Sequence, residues 1–527
     1  MDAAKASSAL PRPKEEQDES QSSQSASQEN ELYTSFTSRQ LRGLQLLLGL
    51  SAITSPLTAT IYLPLLPLLR VQFSASAQEI NLTLTVYIIF QAVSPVLFGP
   101  LSDTYGRRPM FLITLAIYLV SSIGLAANEH NYAALLCLRA VQSLGASAAY
   151  AIAFGVVADV CDRSQRGRML GPIGMALNLG ACVGPVVGGV VAHLRGNHIW
   201  VFWALAIVAA VLLGGVGMFL PETGRNLVGD GSDVRRFKWW QRSGMGLVKG
   251  RLQSSHRSSH AGSLTSAGHA DNLNGRAALK KAVGNFISCF RIIFHRDTFL
   301  TVWMHGSFYV VDYTFVAALP DIFERIYDYN ELRIGLCYLP RGVGIIVGSY
   351  LTGKLMDHNY QATLRQHRQT HGDGGETVAD ASRVDPDPTS FPIERARSRG
   401  TYYVLAVSTG TVVGYGWAVS LGAHPSIPLI LQFLQGFWGT YYYTTYGALM
   451  VDAFPEKAST ASAATSVARC AMSAAGVAVL EPLLGAVGRG WYFTILGLWS
   501  GILGVIAVIL LRKMGLAWRC ARGGGQP

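Results

Sequence analysis

The chain is poor in charge. Only 14% of its 527 residues are Asp, Glu, Lys or Arg, against roughly 25% in a soluble domain, while half are hydrophobic. That imbalance excludes an ordinary water-soluble enzyme of this length. Cysteine supplies no framework either. The seven cysteines form no Cys-x-x-Cys pair and no His/Cys spacing suited to zinc. Cys137, Cys182, Cys337 and Cys470 fall inside apolar runs, Cys161 and Cys289 beside them, and Cys520 lies in the last polar stretch. Small apolar packing roles are expected for them. The phosphate-cradling run Gly-x-x-x-x-Gly-Lys-Ser/Thr is missing, which leaves ATP hydrolysis without support. No hydrolase or transferase spacing occurs. No cofactor and no metal are expected. Residues 1–39, rich in Ser, Gln, Glu and Ala, contain no apolar centre. A cleaved signal sequence or transit peptide is therefore not expected there, and the segment reads as disordered.

What the chain has instead is length in its apolar runs. About 20 uncharged residues span a ~30 Å hydrocarbon core as a helix. Such runs occupy 44–66, 80–101, 109–127, 132–157, 168–192 and 199–220, then 299–320, 334–356, 401–422, 427–451, 466–488 and 491–512. They predict an all-α polytopic membrane protein with about twelve transmembrane helices in two six-helix bundles, 40–220 and 298–513. A polar linker, 221–297, joins the bundles, a polar insert occupies 358–399, and a tail follows at 514–527. The first run is expected to act as an uncleaved insertion signal.

The net charge of +11 does not point to nucleic acid, because the cations fall in alternate loops. Arg107 and Arg108, then Arg163, Arg166 and Arg168, then Arg235, Arg236 and Lys238 form one series. Arg395, Arg397, Arg399, Arg512 and Lys513 continue it, whereas the intervening loops mix signs, as at Asp321, Glu324 and Arg325. The positive-inside rule then puts both termini, the linker and the insert in the cytoplasm. Trp239 and Trp240 beside the third group suit an interfacial patch. Gly374-Gly375-Glu376 and Asp385-Pro386-Asp387-Pro388 are loop chemistry.

The two sets of runs repeat each other. Gln142 and Asp159 bracket the fourth run, and Gln435 and Asp452 bracket the tenth at the same separation. Gly99-x-Leu101-x-Asp103 returns as Gly353-x-Leu355-x-Asp357, and Trp200-x-Phe202 as Trp491-x-Phe493. Three matches in register predict a duplicated six-helix unit.

The stretch between the second and third runs is the most specific. It reads Gly99-Pro100-Leu101-Ser102-Asp103-Thr104-Tyr105-Gly106-Arg107-Arg108-Pro109. Gly99 and Gly106 permit close packing and a tight turn. Asp103 precedes Arg107 by four residues, the favourable order for a helical ion pair. In length, glycine placement and charge order the stretch resembles the loop between helices two and three of the major facilitator superfamily. That resemblance implies a secondary transporter built from two bundles that rock about a central site.

Further motifs extend the resemblance. Arg139-Ala140-Val141-Gln142-Ser143-Leu144-Gly145 is similar to the fourth-helix motif of proton-coupled members, with Ser143 where glycine is usual. The likeness implies a proton-coupling role for Arg139, exerted through a nearby carboxyl. Gly180-x-x-x-Gly184-Pro185-x-x-Gly188-Gly189 resembles the antiporter motif of drug:proton exporters. Small residues at this spacing let another helix approach closely. Pro221-Glu222-Thr223-x-Arg225, Tyr62-x-Pro64, Tyr338-Leu339-Pro340 and Phe391-Pro392-Ile393-Glu394 narrow the likeness to fungal twelve-span drug:proton antiporters. That branch includes quinidine, polyamine and weak-acid exporters, which implies an efflux pump in the plasma membrane, with the vacuolar membrane as the alternative.

Polar groups at membrane depth mark the candidate cavity: Gln91, Asn178, His305, Asp312, Arg341, Arg469 and Glu481. Asp312 and Glu481 are candidate proton carriers, and each equally suits an internal salt bridge. Arg341 and Arg469 suit a bound carboxylate or those same acids. His305 reads as a packing residue. Trp303, Tyr309, Trp438 and Tyr442 are the aromatic cavity candidates. The leading expectation is export of a drug, toxin or secondary metabolite in exchange for protons. A di- or tricarboxylate is the alternative raised by Arg139, Arg341 and Arg469, and a polyamine would want more carboxylates. A membrane sensor that binds solute without moving it is the remaining alternative. The expected partners are the solute, protons and the bilayer, with the chain acting as a monomer.

Overall fold

The computed structural model describes residues 38–161, 163–224, 284, 291–371, 391–454 and 458–522. The tail at 1–37, the Trp239–Trp240 patch with Arg235, Arg236 and Lys238, Cys289, and the turns at 374–376 and 385–388 lie outside the described residues. So do the side chains of Arg163, Arg166 and Arg168.

Twelve helical rods account for nearly all described residues. Rod α1 is broken into Ser38–Ala52, Thr54–Ile61 and Leu66–Gln72, with a 3-10 turn at Leu63–Leu65 where Pro64 and Pro67 remove backbone donors. Then follow α2 (Ala77–Tyr105), α3 (Arg107–Ala127), α4 (Tyr132–Val160), α5 (Arg163–Arg195) and α6 (Ile199–Phe219). The second half holds α7 (Arg296–Tyr327), α8 (Glu331–Leu336 with Leu339–His371), α9 (Thr401–Ser420) and α10 (Ser426–Asp452). It ends with α11 (Ala458–Ala478 with Leu480–Val487) and α12 (Arg489–Arg522). Among the described residues eight helices are long and apolar enough to cross a membrane, nine with the bent α11 pair. The other three, α7, α9 and α10, do not meet that measure.

Local chemistry sets the starts of these rods. Ser76 and Glu79 close a capping box on α2, with the Glu79 amide donating to Ser76 Oγ at 3.2 Å and the Ser76 amide donating to Glu79 Oε2 at 2.7 Å. Asn131 and Asn330 cap α4 and α8, each accepting at 3.0 Å from the amide three residues on.

The duplication read from the sequence is also a packing repeat. In the first half α2 packs on α4, α3 on α6, α1 on α5 and α1 on α4; in the second, α8 packs on α10, α9 on α12, α7 on α11 and α7 on α10. The halves meet through α2 with α11 and α5 with α8.

One end of the bundle, the basic face, carries Arg107, Arg108, Arg397, Arg519 and Arg522. The opposite face carries Arg70, Asp321, Glu481 and Arg489. A single apolar cluster at the opposite face draws on both halves, from Tyr62, Leu69 and Leu84 to Phe315, Phe323 and Tyr338. Toward the basic face the cores separate: Leu48, Phe111 and Val156 belong to a cluster of the first half alone, and Met304, Tyr446 and Val508 to one of the second. The halves are joined at the opposite face and part toward the basic one.

Two expected boundaries shift. The tail assigned to 514–527 is helical through Arg522, as the continuation of α12. It is held there because Arg519 meets Glu394 at 3.3 Å, and Arg522 meets Asp297 at 2.5 Å and lies 3.9 Å over the Phe454 ring. Part of the insert is structured too. Helix α8 runs on to His371, and Leu364 shares a small apolar cluster with Phe391 and Ala396 of the short helix at Ile393–Arg397.

Candidate functional site

At the basic face, the Gly99–Pro109 stretch is a helix break rather than a continuous helix. Gly106 adopts φ 109°, a conformation that L side chains avoid, and separates α2 from α3. Arg107 still reaches back to Asp103 at 2.5 Å, so the expected ion pair forms across the turn. Arg107 Nε also binds Asp159 of α4 at 2.9 Å, and its Nη1 donates to Ser102 Oγ at 2.7 Å. Glu222 ties the turn down by accepting the Arg107 amide at 2.8 Å and the Gly224 amide at 2.9 Å. Arg108 is buried and donates to the Gly217 carbonyl at 2.6 Å. Gly99, expected to permit close packing, faces open space, with nothing within 4 Å of where a Cβ would be. The second half repeats the latch as Arg397 with Asp452, at 2.9 Å. The insert between Asp357 and Arg397 hides this counterpart from the sequence.

The glycine run of α5 serves two contacts. A Cβ at Gly180 would come within 3.0 Å of the Ile53 carbonyl, at Gly184 within 2.1 Å of Thr60 Oγ1, and at Gly188 within 2.1 Å of the Ile61 carbonyl. Those three glycines seat α5 on α1 of its own half. Gly189 looks the other way, with its Cβ position 2.6 Å from the Glu331 carbonyl of α8. Gly335 makes the reciprocal approach to the Pro185 carbonyl, also at 2.6 Å. The run is both a packing seam and a contact between halves.

Three arginines lie at membrane depth, and each is treated differently. Arg139 of α4 is fully buried, with 0% exposure. Its Nη1 donates to Gln142 Oε1 at 2.9 Å and to the Thr58 carbonyl at 3.4 Å. The guanidinium lies 4.2 Å from the Tyr62 ring and 4.4 Å from that of Tyr87, while its Nε and Nη2 have no hydrogen-bond partner. Among the described residues no carboxyl stands beside it: the groups that interact electrostatically with Arg139 are the phenols of Tyr62, Tyr87 and Tyr118. Ring quadrupoles take the place of an anion.

In the second half, Arg341 of α8 grips Asp312 of α7 with both arms of its fork. Nε donates to Oδ1 at 3.0 Å and Nη2 to Oδ2. This is the internal salt bridge left open by the sequence. Arg469 of α11 is different again. It is half-buried, its guanidinium lies 4.5 Å over the Tyr309 ring, and its electrostatic neighbours are Tyr309, Tyr313, Cys470 and Tyr150 of the first half. Among the described residues no carboxylate pairs with it. The Tyr443 ring closes the gap between these groups, 5.3 Å from that of Tyr309 and 5.8 Å from that of His305. Cys182 of α5 meets α8 beside Arg341, within 1.9 Å of a Cβ placed at Gly342. The cluster Asp312–Arg341–Tyr443–Tyr309–Arg469 therefore belongs to the second half and faces Tyr150 and Cys182 of the first.

Other candidates lie elsewhere. Glu481 sits at the opposite face, where Asn81 donates to it at 3.3 Å, and lines a cavity of about 360 Å³ with Asp321, Arg325 and Arg489. Its place after the break in α11 carries it out of the central site. Trp303 packs on Trp499 of α12, with centroids 5.2 Å apart, and takes no part in the cluster. Tyr442 is fully buried and stacked on Phe308 at 3.5 Å, so its neighbour Tyr443 is the residue turned to the site. Gln91 donates to Ser55 Oγ at 3.1 Å within the first half. Asn178 is half-buried on α5, and Trp438 is packed edge-on against Phe437 at 4.6 Å with its Nε1 unpartnered. His305 is buried and bonded to the Tyr443 backbone, with its Nδ1 unpartnered. No signal in the sequence marked Tyr150, and Cys182 read only as a packing cysteine, since neither carries charge.

Comparison with known proteins agrees with this architecture. The family model described as Major Facilitator Superfamily matches residues 48–368. The chain belongs to that superfamily, and it is a membrane transporter of small organic solutes rather than an enzyme. Among its relatives, "Citrate exporter 1" of Aspergillus niger is 34% identical over 493 residues, covering 92% of this chain and 88% of that protein. "MFS-type transporter tstD" of Talaromyces stipitatus is 31% identical over 493 residues, covering 94% and 85%. Among solved structures, the partially occluded inward open xylose transporter XylE from E. coli superposes with a TM-score of 0.59. It covers 90% of this chain and 98% of that one at 14% identity, which speaks for the fold alone.

Proposed function

We propose that the chain exports a small organic acid, a di- or tricarboxylate, from the cytoplasm across the plasma membrane. The observation that carries this reading is Arg469, a half-buried guanidinium without a carboxylate partner in a site shared by the two halves. With Asp312 bound to Arg341, the cluster keeps one net positive charge. A cation without a partner at membrane depth is costly, and an anionic cargo relieves that cost. The same arithmetic sets a polyamine aside, because the site's one carboxylate is already engaged. The name of the 34% identical citrate exporter supports the same cargo class and direction.

The loop arginines support a cytoplasmic basic face by the positive-inside rule. With the halves joined at the opposite face, the described arrangement is the loading state. An inside-negative potential expels net negative charge, at about 2.3 kcal/mol per elementary charge per 100 mV. One chain suffices, since both walls of the site come from its own halves. A second reading, efflux of a planar drug or secondary metabolite, is favoured by the phenolic wall of Tyr309, Tyr313 and Tyr443.

Flux of radiolabelled citrate, spermidine and a cationic dye into vesicles bearing the purified chain separates these readings. Saturable citrate flux that is lost in Arg469→Ala is the expected result. Dye flux without citrate flux would support the second reading, and binding of either without net flux would indicate a sensor.

A further inference from the structure

We propose that Asp312 carries a proton together with the cargo. It takes one up when a dicarboxylate binds across Arg341 and Arg469 and releases it when the cargo leaves, so that anion and proton cross in the same direction. This inference rests on the organic-acid reading above and reverses the exchange that the antiporter resemblance implies.

The argument begins with the charge in the cluster. Arg341, Arg469 and ionised Asp312 sum to one positive charge, and arginine does not give up its proton. A monocarboxylate cancels that charge outright. A dicarboxylate leaves one negative charge at membrane depth unless a group nearby accepts a proton, and an uncompensated buried charge is strongly disfavoured.

Asp312 is the group placed to accept it. Both of its oxygens are held by the one guanidinium fork of Arg341. A cargo carboxylate seeking that fork competes with Asp312 directly, and a buried carboxylate deprived of its cation is stabilised by protonation.

The other base in the cluster is His305 of α7, with an unpartnered Nδ1 beside the Tyr443 ring and Arg469 as its electrostatic neighbour; unlike Asp312, it holds no ion pair that the cargo would break. Helix α10 contributes the phenol of Tyr443, and α7 itself that of Tyr309. Helix α11 contributes Arg469 behind Tyr309. On α8, besides Arg341, the Tyr338 hydroxyl is spent on the Val316 carbonyl at 2.8 Å. From α12 Tyr492 is turned to Thr314, and Arg70 of α1 is bound to Asp321 at the opposite face. The cycle balances in protons. An O–H bond forms on Asp312 with a proton from the loading side as Arg341 passes to the cargo. It breaks on the release side as Arg341 returns to Asp312. The empty site crosses with one positive charge and the loaded site with none, so each cycle exports one net negative charge.

The test uses the full chain in lipid vesicles with a trapped pH dye and the potential clamped. Fumarate, whose carboxyls are both ionised near neutral pH, is the dianion probe, and lactate is the monoanion. Fumarate entry should acidify the lumen by about one proton per anion, as the charge balance requires, and lactate entry should leave it unchanged. In Asp312→Asn the protons carried per fumarate should fall to near zero at whatever turnover remains, while Glu481→Gln keeps the wild-type ratio. The wild-type contrast between the two anions decides the matter even if the Asp312 variant fails to fold. Fumarate entry that alkalinises the lumen, or leaves its pH unchanged, overturns this inference alone. Failure of the wild type to bind or carry fumarate removes the organic-acid reading and this inference with it.

Discussion

The two halves share a packing plan and differ in how they keep a cation inside it. In the first half Arg139 is sealed between the rings of Tyr62 and Tyr87, beyond the reach of solvent. In the second half Arg341 is neutralised by Asp312, and Arg469 is half-buried over one tyrosine ring with no acid beside it among the described residues. One half has closed its charge away and the other has left a charge to be answered. A binding site therefore need not follow the duplication that built the fold. The packing plan is repeated, and the proposed cargo site draws its charges from one half of it.

The largest effect expected from breaking this comparison comes from the paired arginine. Arg341→Ala leaves Asp312 buried and alone, a loss of about 3–5 kcal/mol in folding. Adding Asp312→Ala should return much of that loss, and thermal unfolding in detergent for the single and double variants reads both. Next comes the contact between halves. Gly189→Ala sets a methyl against the Glu331 carbonyl of α8, an overpacking cost of about 1–3 kcal/mol. The cost falls on the state closed at the opposite face. Cysteine labelling beside Asp321 should show that face opening more often in this variant than in the wild type.

Arg139→Met sharpens the comparison from the first half. It removes two cation–π contacts worth up to about 2 kcal/mol each when desolvated. It also removes the burial of an unpaired charge, so the net change in stability should be within about 2 kcal/mol. Affinity for a carboxylate should stay as in the wild type, because the guanidinium is sealed from the site. A large loss of affinity in calorimetric titration would mean that Arg139 also reaches the cargo.

The smallest effect belongs to the clasp under the second half. Burial raises the Glu394 carboxyl above its ordinary value, against the opposing pull of Arg519. The folded chain thus holds that proton more tightly than the unfolded one. This contribution is full below the ordinary carboxyl value and fades as pH rises through the folded one. Melting temperatures from mildly acidic to neutral pH should fall by the equivalent of at most on the order of 1 kcal/mol, and Glu394→Gln should flatten that slope.

The fold was legible because a bilayer leaves few ways to satisfy a backbone, and twelve apolar runs repeat on a plan that the contacts reproduce. The latch at Asp103 and Arg107 was legible for a similar reason, since its partners are local. Partners across the sequence were not. Nothing at Arg139 announces that tyrosines replace an acid, because rings at positions 62 and 87 look like packing until the helices meet. Tyr442 and Tyr443 are adjacent, equally aromatic and about 100° apart around a helix. Only packing against Phe308 decides which of them turns inward. Glu481 looked central because the apolar run continues past Pro482; that proline has no N–H for the Ala478 carbonyl four residues back, and α11 bends by 44° there.

The account's central claim is that Arg469 is the cation left for an anionic cargo. Calorimetric titration of the purified chain with citrate, for the wild type, Arg469→Ala and Arg139→Met, tests it most directly. A desolvated charge pair cut on one side costs about 2–5 kcal/mol. Arg469→Ala should therefore weaken citrate binding by at least ~30-fold at about 1.4 kcal/mol per decade, with Arg139→Met unchanged. Equal citrate affinity in the wild type and Arg469→Ala would contradict the account.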